Sequence, residues 1–133
     1  MRRDKASLVL RQAFFADTSA RAAYAALMRA VFDLDVAARD ASCGIDATCR
    51  PFAYFDAAGA CVASVEVFAL PLILDGVRCE AAAIRSVAVA EDWRGHGLFR
   101  DLMLEALAWC DATMAGPVLL YTCLLYTSDA ADE

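Results

Sequence analysis

The feature that most constrains the fold is a junction at residues 87–100, where a strand-like run leads into a helix. The apolar run Val87–Ala90 is followed by a loop of small and basic residues, Arg94-Gly95-His96-Gly97, and residues with helical spacing come next. At such a junction the first helical N–H groups have no partner within the helix, and the positive end of the helix dipole lies beside them. The sequence therefore predicts a site for a phosphate or diphosphate at the start of this helix.

Changes in hydrophobic period and turn signals predict alternating strands and helices. Strands are expected at Ser7–Ala13, Phe52–Phe55, Cys61–Leu70, Val77–Ala90 and Val118–Thr122, and helices from Asp17 or Thr18 to about Phe32–Asp35 and over Gly97–Thr113. The segment Ala37–Arg50 is ambiguous and has room for a second short helix. Asp75-Gly76 predicts a tight hairpin between antiparallel strands. The final strand, helix and strand form a crossover unit, which makes the last two strands parallel.

Each long helix has an apolar face that predicts how it packs. The first is expected to bury Tyr24, Leu27, Met28 and Val31, and the second Phe99, Leu102, Met103, Ala106 and Cys110.

Composition excludes several classes of protein. The chain has 133 residues, enough for one domain, and 61% of them are hydrophobic, largely through alanine. Its net charge of −6 offers no basic stripe for a nucleic-acid partner. The longest nearly uncharged stretch, Cys61–Leu74, contains Glu66 and is too short to span a membrane. Because Arg11-Gln12 interrupts the apolar run near the start, no export signal is recognised, and the protein is predicted to be cytoplasmic.

The cysteines predict neither a disulfide framework nor a metal site. The six of them, at positions 43, 49, 61, 79, 110 and 123, form no C-x-x-C pair and have no zinc spacing. Most stand among apolar neighbours, so buried, reduced thiols are expected.

Two other phosphate-binding patterns fit the junction less well. Gly95-x-Gly97 suggests a dinucleotide-binding fold, but Arg100 stands where a third glycine belongs, and hairpins join the preceding strands. The sequence contains no G-x-x-x-x-G-K-[ST] pattern, which excludes a P-loop. A plainer alternative is that the glycines only permit a tight turn before the helix.

The sequence Arg94-Gly95-His96-Gly97-Leu98 resembles the acyl-CoA-binding motif of the GCN5-related N-acetyltransferases (GNAT), with Phe99 where Gly or Ala is usual. The resemblance implies the α+β GNAT fold, a mixed, mostly antiparallel sheet with a βαβ crossover in the order β-α-(α)-β-β-β-α-β. The resemblance covers about residues 7–122, and the domain is expected to span residues 1–122, without the C-terminal part of the fold. It also implies acetyl-CoA as the co-substrate.

The same resemblance assigns roles at the junction. Backbone groups of Val87, Ala88 and Val89 are expected to pair with the pantetheine amides. The N–H groups of six consecutive residues are expected to hold the pyrophosphate: Gly95, His96, Gly97, Leu98, Phe99 and Arg100. Arg94 and Arg100 are expected to add positive potential, with a solvated surface position as the alternative. His96 is expected to face solvent or lie near the phosphates, and Trp93 is expected to pack the loop against the sheet rather than stack on a ligand.

In this family a neutral amine attacks the thioester directly, which requires a base for the ammonium and an acid for the leaving thiolate. Glu66 and Glu80 are the candidate bases, and an exposed carboxylate on a strand face is the competing, favoured interpretation of each. The acid is often a tyrosine just beyond the last strand, a role assigned to neither Tyr121 nor Tyr126.

Together with Arg50-Pro51-Phe52-Ala53-Tyr54-Phe55, the motif is similar to the enhanced-intracellular-survival branch of the family. That branch implies a small-molecule or peptide amine as acceptor, such as an aminoglycoside or a lysine side chain, and leaves an oligomer open for the full-length parent. The alternative function is a non-catalytic acyl-CoA-binding module with a regulatory role.

The last residues, 123–133, match the translation of a transposase-based sequencing adapter. We therefore expect natural sequence to stop near Thr122 and exclude the tail from the fold. Because a GNAT domain continues beyond that point, the chain as written is expected to fold poorly and to be inactive, although its parent is an enzyme.

Overall fold

The computed structural model describes residues 4–114 and 116–120 of the chain. Its strands are β1 (Val9–Gln12), β2 (Arg50–Phe55), β3 (Cys61–Leu74), β4 (Val77–Val89) and β5 (Val118–Leu120). Its helices are α1 (Thr18–Phe32), α2 (Val36–Cys43) and α3 (Leu98–Thr113), with short 3-10 helices at Lys5–Ser7 and Glu91–Trp93. The elements follow the predicted order, and the ambiguous segment after α1 contains α2.

The strands form one sheet in the order β1-β2-β3-β4-β5. Neighbours from β1 to β4 are antiparallel, and β5 lies parallel to β4 from Ala82↔Val118 to Ile84↔Leu120. The predicted mostly antiparallel sheet with a crossover helix is therefore confirmed. The predicted strand residues Tyr121 and Thr122, and the tail at 123–133, lie outside the described residues.

The turn between β3 and β4 has the predicted geometry. Asp75 and Gly76 have φ values of +50° and +77°, as a type I′ turn requires. β3 continues through Pro71 to Leu74, beyond its predicted end. Among the described strands none pairs with β3 on the β2 side beyond Val67, so Pro71 lies where β3 has a free edge and a missing N–H is tolerated.

Aspartates begin both helices of the first helical segment. The Asp17 carboxylate accepts hydrogen bonds from the N–H groups of Ser19 and Ala20 at 3.0 and 3.2 Å, which starts α1 at the following residue. Asp35 accepts from the N–H of Ala38 at 3.0 Å and starts α2 in the same way. The two caps fix where α1 and α2 begin.

The sheet is covered on both faces. Helices α1 and α2 pack on the face that carries Ala53, Phe55 and Ala88, and α3 packs on the face that carries Phe52 and Val65. On α1, Tyr24, Leu27 and Met28 are buried as predicted, together with Ala20, whereas Val31 is only half-buried. On α3 the buried stripe is Leu98, Leu102, Ala106 and Cys110. Phe99 and Met103 of the predicted face are half-buried, because the stripe begins one residue earlier than expected.

The cysteines are less uniform than expected. Cys61 and Cys110 are buried, and burial raises the pKa of the Cys61 thiol to about 12. Cys43 is exposed, and Cys49 and Cys79 are half-buried, because they lie on α2, the following loop and the outer part of β4. Cys123 lies outside the described residues.

In residues 4–114 and 116–120, no group of three or more His, Cys, Asp or Glu side chains is arranged to hold a metal ion. The described helices include none that is both long and apolar enough to cross a membrane.

Candidate active site

A β-bulge interrupts the pairing of β3 with β4. Glu66 pairs with Arg85 and Ser64 with Ala88, so β3 has one residue between these pairs where β4 has Ser86 and Val87. Ser86 takes up the extra residue with a φ of +55°, a left-handed conformation that is rare within a strand. The bulge bends β4 and turns its backbone at this point.

In the part of the chain that the structure describes, the outer edge of β4 has a partner along only part of its length. β5 pairs with it from Ala82 to Ile84, whereas β4 continues to Val89. No other described strand pairs with the stretch from the bulge to Val89 on this side. Val87, Ala88 and Val89, the residues predicted to pair with pantetheine, are therefore all on this stretch.

The loop after β4 is held by its tryptophan. Trp93 is 6% exposed and belongs to the core cluster beneath α3, as predicted. The Arg94 guanidinium donates from Nε to the carbonyl of Val89 at 3.4 Å, which ties the loop back to the end of β4. The start of α3 is thus fixed relative to the strand edge.

Helix α3 begins without a side-chain cap. Gly97 is its N-cap, in the left-handed conformation with a φ of +77°, and the first helical hydrogen bond runs from the N–H of Asp101 to its carbonyl. The N–H groups of Leu98, Phe99 and Arg100 therefore have no partner within the helix. Three donors at the positive end of a helix of sixteen residues form a site that suits an anion.

Gly95 shows that the loop has room for a ligand. Its φ is +80°, and a Cβ built on it would meet no described atom within 4 Å. Glycine is required here by the backbone conformation, and the space above it is open to a phosphate. The predicted pyrophosphate-binding residues, 95–100, therefore fit the group that the motif implies.

His96 does not point freely into solvent. Its Nδ1 lies 3.1 Å from the carbonyl oxygens of both Trp93 and Arg94, and its ring packs edge-on against Trp93 with centroids 5.3 Å apart. Because carbonyls only accept, Nδ1 is the protonated nitrogen. Nε2 is buried with no partner in the described structure. The imidazole therefore packs inside the loop. It does not face solvent, which was one of the two positions predicted for it.

Lys5 is a residue of this loop that sequence patterns did not indicate. Its ammonium forms an ion pair with Asp101 in the first turn of α3. The Nζ atom lies 3.7 Å from where a Cβ on Gly97 would be. A cation from the start of the chain is thus brought beside the anion site, where only the fold could reveal it.

On the opposite face of the sheet, α1, α2 and the loop after α2 enclose a cavity of about 290 Å³ over β3 and β4. Its charged lining consists of Arg21, Arg39, Asp40, Asp46, Glu66 and Arg85. Phe15 and Ile45 supply apolar surface. None of these residues except Glu66 was singled out by the sequence, because they come from helices, strands and loops that are separate in the chain.

Glu66 is the buried floor of this cavity, which overturns its interpretation as an exposed strand-face carboxylate. The residue is 0% exposed. Tyr24 donates its hydroxyl to Oε1 at 2.6 Å, and the Cys49 thiol lies 3.6 Å from the same oxygen. Oε2 is 3.5 Å from Nε of Arg85, and neither atom has a hydrogen-bond partner in the described structure.

The carboxylate at the cavity floor perturbs its neighbours. Burial, reinforced by the charge of Glu66, raises the pKa of the Cys49 thiol to about 12. Burial and the same charge raise the pKa of Tyr24 well above its usual range. Both groups therefore stay protonated at neutral pH and act as donors to Glu66.

Glu80 is not part of the cavity. Its side chain is 59% exposed and pairs with Arg78 at 3.1 Å on the outer part of β4. Glu80 is therefore a solvent-exposed carboxylate on a strand, which was the favoured alternative to its role as a base.

The cavity and the open strand edge meet at the bulge. Arg85 lines the cavity, and Val87, two residues later, begins the stretch of β4 without a described partner. Two residues span at most about 7 Å of strand. A group bound along the outer edge of β4 and a group bound in the cavity are therefore within reach of each other.

The fold resembles several solved acetyltransferases at low sequence identity. An acetyltransferase from Trypanosoma brucei has a TM-score of 0.68 at 18% identity, with 92% of this chain and 87% of that chain covered. An aminoglycoside acetyltransferase, meta-AAC0020, from an uncultured soil metagenomic sample has a TM-score of 0.74 at 14% identity, with 96% and 85% covered. The aminoglycoside N-acetyltransferase AAC(6')-Iy, solved with CoA, has a TM-score of 0.70 at 12% identity, with 93% and 82% covered.

No curated protein sequence matches the chain closely enough to be a relative. Residues 16–123, however, match the family described as Acetyltransferase (GNAT) domain. This match covers most of the chain and includes the strand, the glycine loop and helix α3. The chain therefore belongs to the GNAT acetyltransferase family.

Proposed function

We propose that the protein transfers an acetyl group from acetyl-CoA to the amine of an acceptor bound in the cavity. One observation carries this proposal: a buried carboxylate with an unpartnered oxygen, Glu66, lies beside the bulge where the cavity meets the open edge of β4. A base there is within reach of an amine in the cavity and of an acyl group on the strand edge.

The cofactor is expected to lie along that edge. The N–H groups of residues 95–100 hold the pyrophosphate, and the backbone of Val87–Val89 pairs with the pantetheine arm. When bound, acetyl-CoA supplies the thioester. Charge-assisted hydrogen bonds are worth about 1.5–3 kcal/mol each, so three or four of them support micromolar binding after the costs of association.

Glu66 is the proposed base. An ammonium must lose a proton before its nitrogen can attack a carbonyl carbon. The Oε2 atom of Glu66 accepts no hydrogen bond in the described structure and is ion-paired only with Nε of Arg85 at 3.5 Å, so it can accept that proton. The Tyr24 hydroxyl holds Oε1 at 2.6 Å and fixes the carboxylate's orientation. The proton passes from the amine to Glu66, directly or through one water. The nitrogen then forms the C–N bond of the amide as the C–S bond of the thioester breaks, and coenzyme A leaves as a thiolate that takes a proton from solvent. Glu80 is not proposed as a base because it is exposed and outside the cavity.

The acceptor is proposed to be a primary amine. Several structures of similar fold are described as aminoglycoside acetyltransferases, one of them in complex with sisomicin. Similarity to the enhanced-intracellular-survival branch stays a prediction, as do the adapter origin of the tail and the cytoplasmic location.

The test is release of free thiol from acetyl-CoA in the presence of a panel of amines, carried out with the full-length parent protein because the chain as written is expected to be inactive. We expect amine-dependent release, and a loss of about 10²–10⁴ in kcat for Glu66→Gln, the range for a general base. Glu80→Gln is the matched control and should retain the wild-type rate.

A different outcome identifies the alternative function. If coenzyme A binds in calorimetry but no amine in the panel supports thiol release, the protein is a non-catalytic acyl-CoA-binding module. If coenzyme A does not bind a folded sample, both functions are wrong.

A further inference from the structure

We infer that the acceptor is a small zwitterion, an α-amino acid with an apolar side chain, whose carboxylate binds Arg21 and Arg39 and whose amino group binds Glu66. This inference deepens the proposed function and depends on the cavity's being the acceptor site.

On one side of the cavity two arginines, Arg21 and Arg39, share a single carboxylate, while the cavity as a whole is lined by three arginines and three carboxylates. Arg21 of α1 and Arg39 of α2 both pair with Asp40, the first through a short ion pair and the second at 3.6 Å. Two guanidinium groups thus share one carboxylate, and each guanidinium has five N–H donors. Donors are left over for an anionic group, and a planar carboxylate is the group that a guanidinium binds best.

Arg21 is held in position for this role. Its guanidinium stacks over the ring of Phe15 at 4.5 Å, and its side chain is 21% exposed. A guanidinium restrained by stacking loses little freedom when it binds a carboxylate. The opposite charge at the mouth, Asp46, already accepts hydrogen bonds from the N–H and hydroxyl of Thr48 at 2.8 and 2.7 Å.

The floor of the cavity presents the complementary group. Oε2 of Glu66 is fully buried and lacks a hydrogen bond, and the nearest cation, Arg85, is 3.5 Å away with its own Nε unpartnered. A buried carboxylate oxygen without a donor is costly. An ammonium group of a ligand would supply that donor.

The size of the cavity limits what lies between the two groups. At about 290 Å³ it is at the low end of small-molecule sites, which span roughly 300–1,000 Å³. Phe15 and Ile45 line it, so an apolar side chain of modest size is accommodated.

The inference is tested by calorimetry on the full-length parent protein, with three matched probes and no acetyl-CoA. L-Leucine carries both charged groups, 3-methylbutylamine lacks the carboxylate, and 4-methylpentanoate lacks the amine. We expect leucine to bind and each single-group probe to bind about tenfold more weakly or worse. Equal affinity for leucine and 3-methylbutylamine, or no binding of leucine, overturns the inference.

Variants connect each group to its receptor. Arg21→Met should weaken leucine binding about tenfold and leave 3-methylbutylamine unchanged, whereas Glu66→Gln should weaken both. Asp40→Asn, which removes the competing carboxylate, should tighten leucine binding. The matched control is Arg29→Met, an α1 arginine that pairs with Asp33 and Asp35 on the exposed surface and should change nothing.

Thermal melts followed by circular dichroism establish that each variant is folded. If Arg21→Met does not fold, the leucine affinity of Asp40→Asn tests the inference in its place. Weaker leucine binding by Asp40→Asn overturns the inference. Coenzyme A is titrated separately: if it binds and leucine does not, only this inference fails, and if leucine binds and coenzyme A does not, the proposed transferase function fails instead.

Discussion

The glycine loop at the start of α3 and the cavity beneath α1 and α2 differ in how the chain builds them. The loop is made from one continuous stretch, with backbone N–H groups as its binding atoms. The cavity is made from side chains of several separate elements, and Tyr24 and Glu66, which meet at its floor at 2.6 Å, are 42 residues apart in sequence. A site made of backbone depends on conformation, and hence on glycines, whereas a site made of side chains depends on the identity and pairing of each group. The two should therefore respond to different substitutions.

The largest effect is expected at the loop. Gly95→Val forces a β-branched residue to a φ of +80° and fills the open space above the loop, so several hydrogen bonds to phosphate are lost together. We expect coenzyme A affinity to fall by more than about a hundredfold. Leucine affinity, measured in the same samples, should not change.

The control for that variant is Gly59→Val. Gly59 has a similarly positive φ of +87° but lies in the turn between β2 and β3. It should lower the melting temperature without affecting coenzyme A binding in the remaining folded protein. Comparable loss of affinity in both variants would mean that strain alone, not the loop's role, explains the result.

The next effect concerns thiol reactivity in the cavity. The pKa of Cys49 is raised to about 12 by burial and by Glu66, so at pH 8 its thiolate fraction is very small. Cys43 is exposed on the same rim. Iodoacetamide at pH 8 should modify Cys43 at least about tenfold faster than Cys49, as read by mass spectrometry of peptides.

The sign of the Cys49 shift gives a second measurement. Glu66→Gln removes a negative charge that disfavours the thiolate, so the Cys49 pKa should fall and its alkylation should quicken. An unchanged or slower rate would contradict the contact between the two groups.

Tyr24→Phe is expected to have an intermediate effect on stability. It removes the donor to Oε1 of a fully buried carboxylate, which costs about 1–3 kcal/mol of unfolding free energy in urea titrations. Tyr54→Phe is the control, because its half-buried hydroxyl lies 3.4 Å from Asp101 at a much weaker contact. Equal losses of unfolding free energy in the two variants would indicate that the hydrogen bond to Glu66 contributes no more than the Tyr54 contact.

The smallest effect is expected for Lys5→Met. A cation at the start of α3 contributes about 0.3–1 kcal/mol to binding of an anion there, or roughly twofold to fivefold in affinity, because the side chain is partly exposed. The measurement is coenzyme A titration at low and high salt. Lys5→Arg should bind coenzyme A with wild-type affinity. If Lys5→Met also has wild-type affinity at low salt, Lys5 does not contribute to anion binding at the loop.

Much of the fold was predictable because its signals are local. The Asp75-Gly76 turn, the Asp17 cap and the change of period at Gly97 each act over a few residues, and all are confirmed. The burial of Glu66 was not predictable from the sequence. A carboxylate within an apolar strand is expected to face solvent unless a buried partner is known, and its partner here, Tyr24, is on another element. The arginine rim escaped prediction for the same reason.

The bulge at Ser86 changes the parity of β4. Without it, Arg85 and Ala88, three positions apart, would point to opposite sides of the sheet, yet both belong to the side covered by α1. Inserting or deleting one residue here would send either the arginine or the core alanine to the wrong layer. On each side of Ser86 the side chains alternate between the two faces of the sheet, and the bulge shifts that alternation by one residue. A substitution in either half of β4 must therefore suit the face to which that half assigns the position.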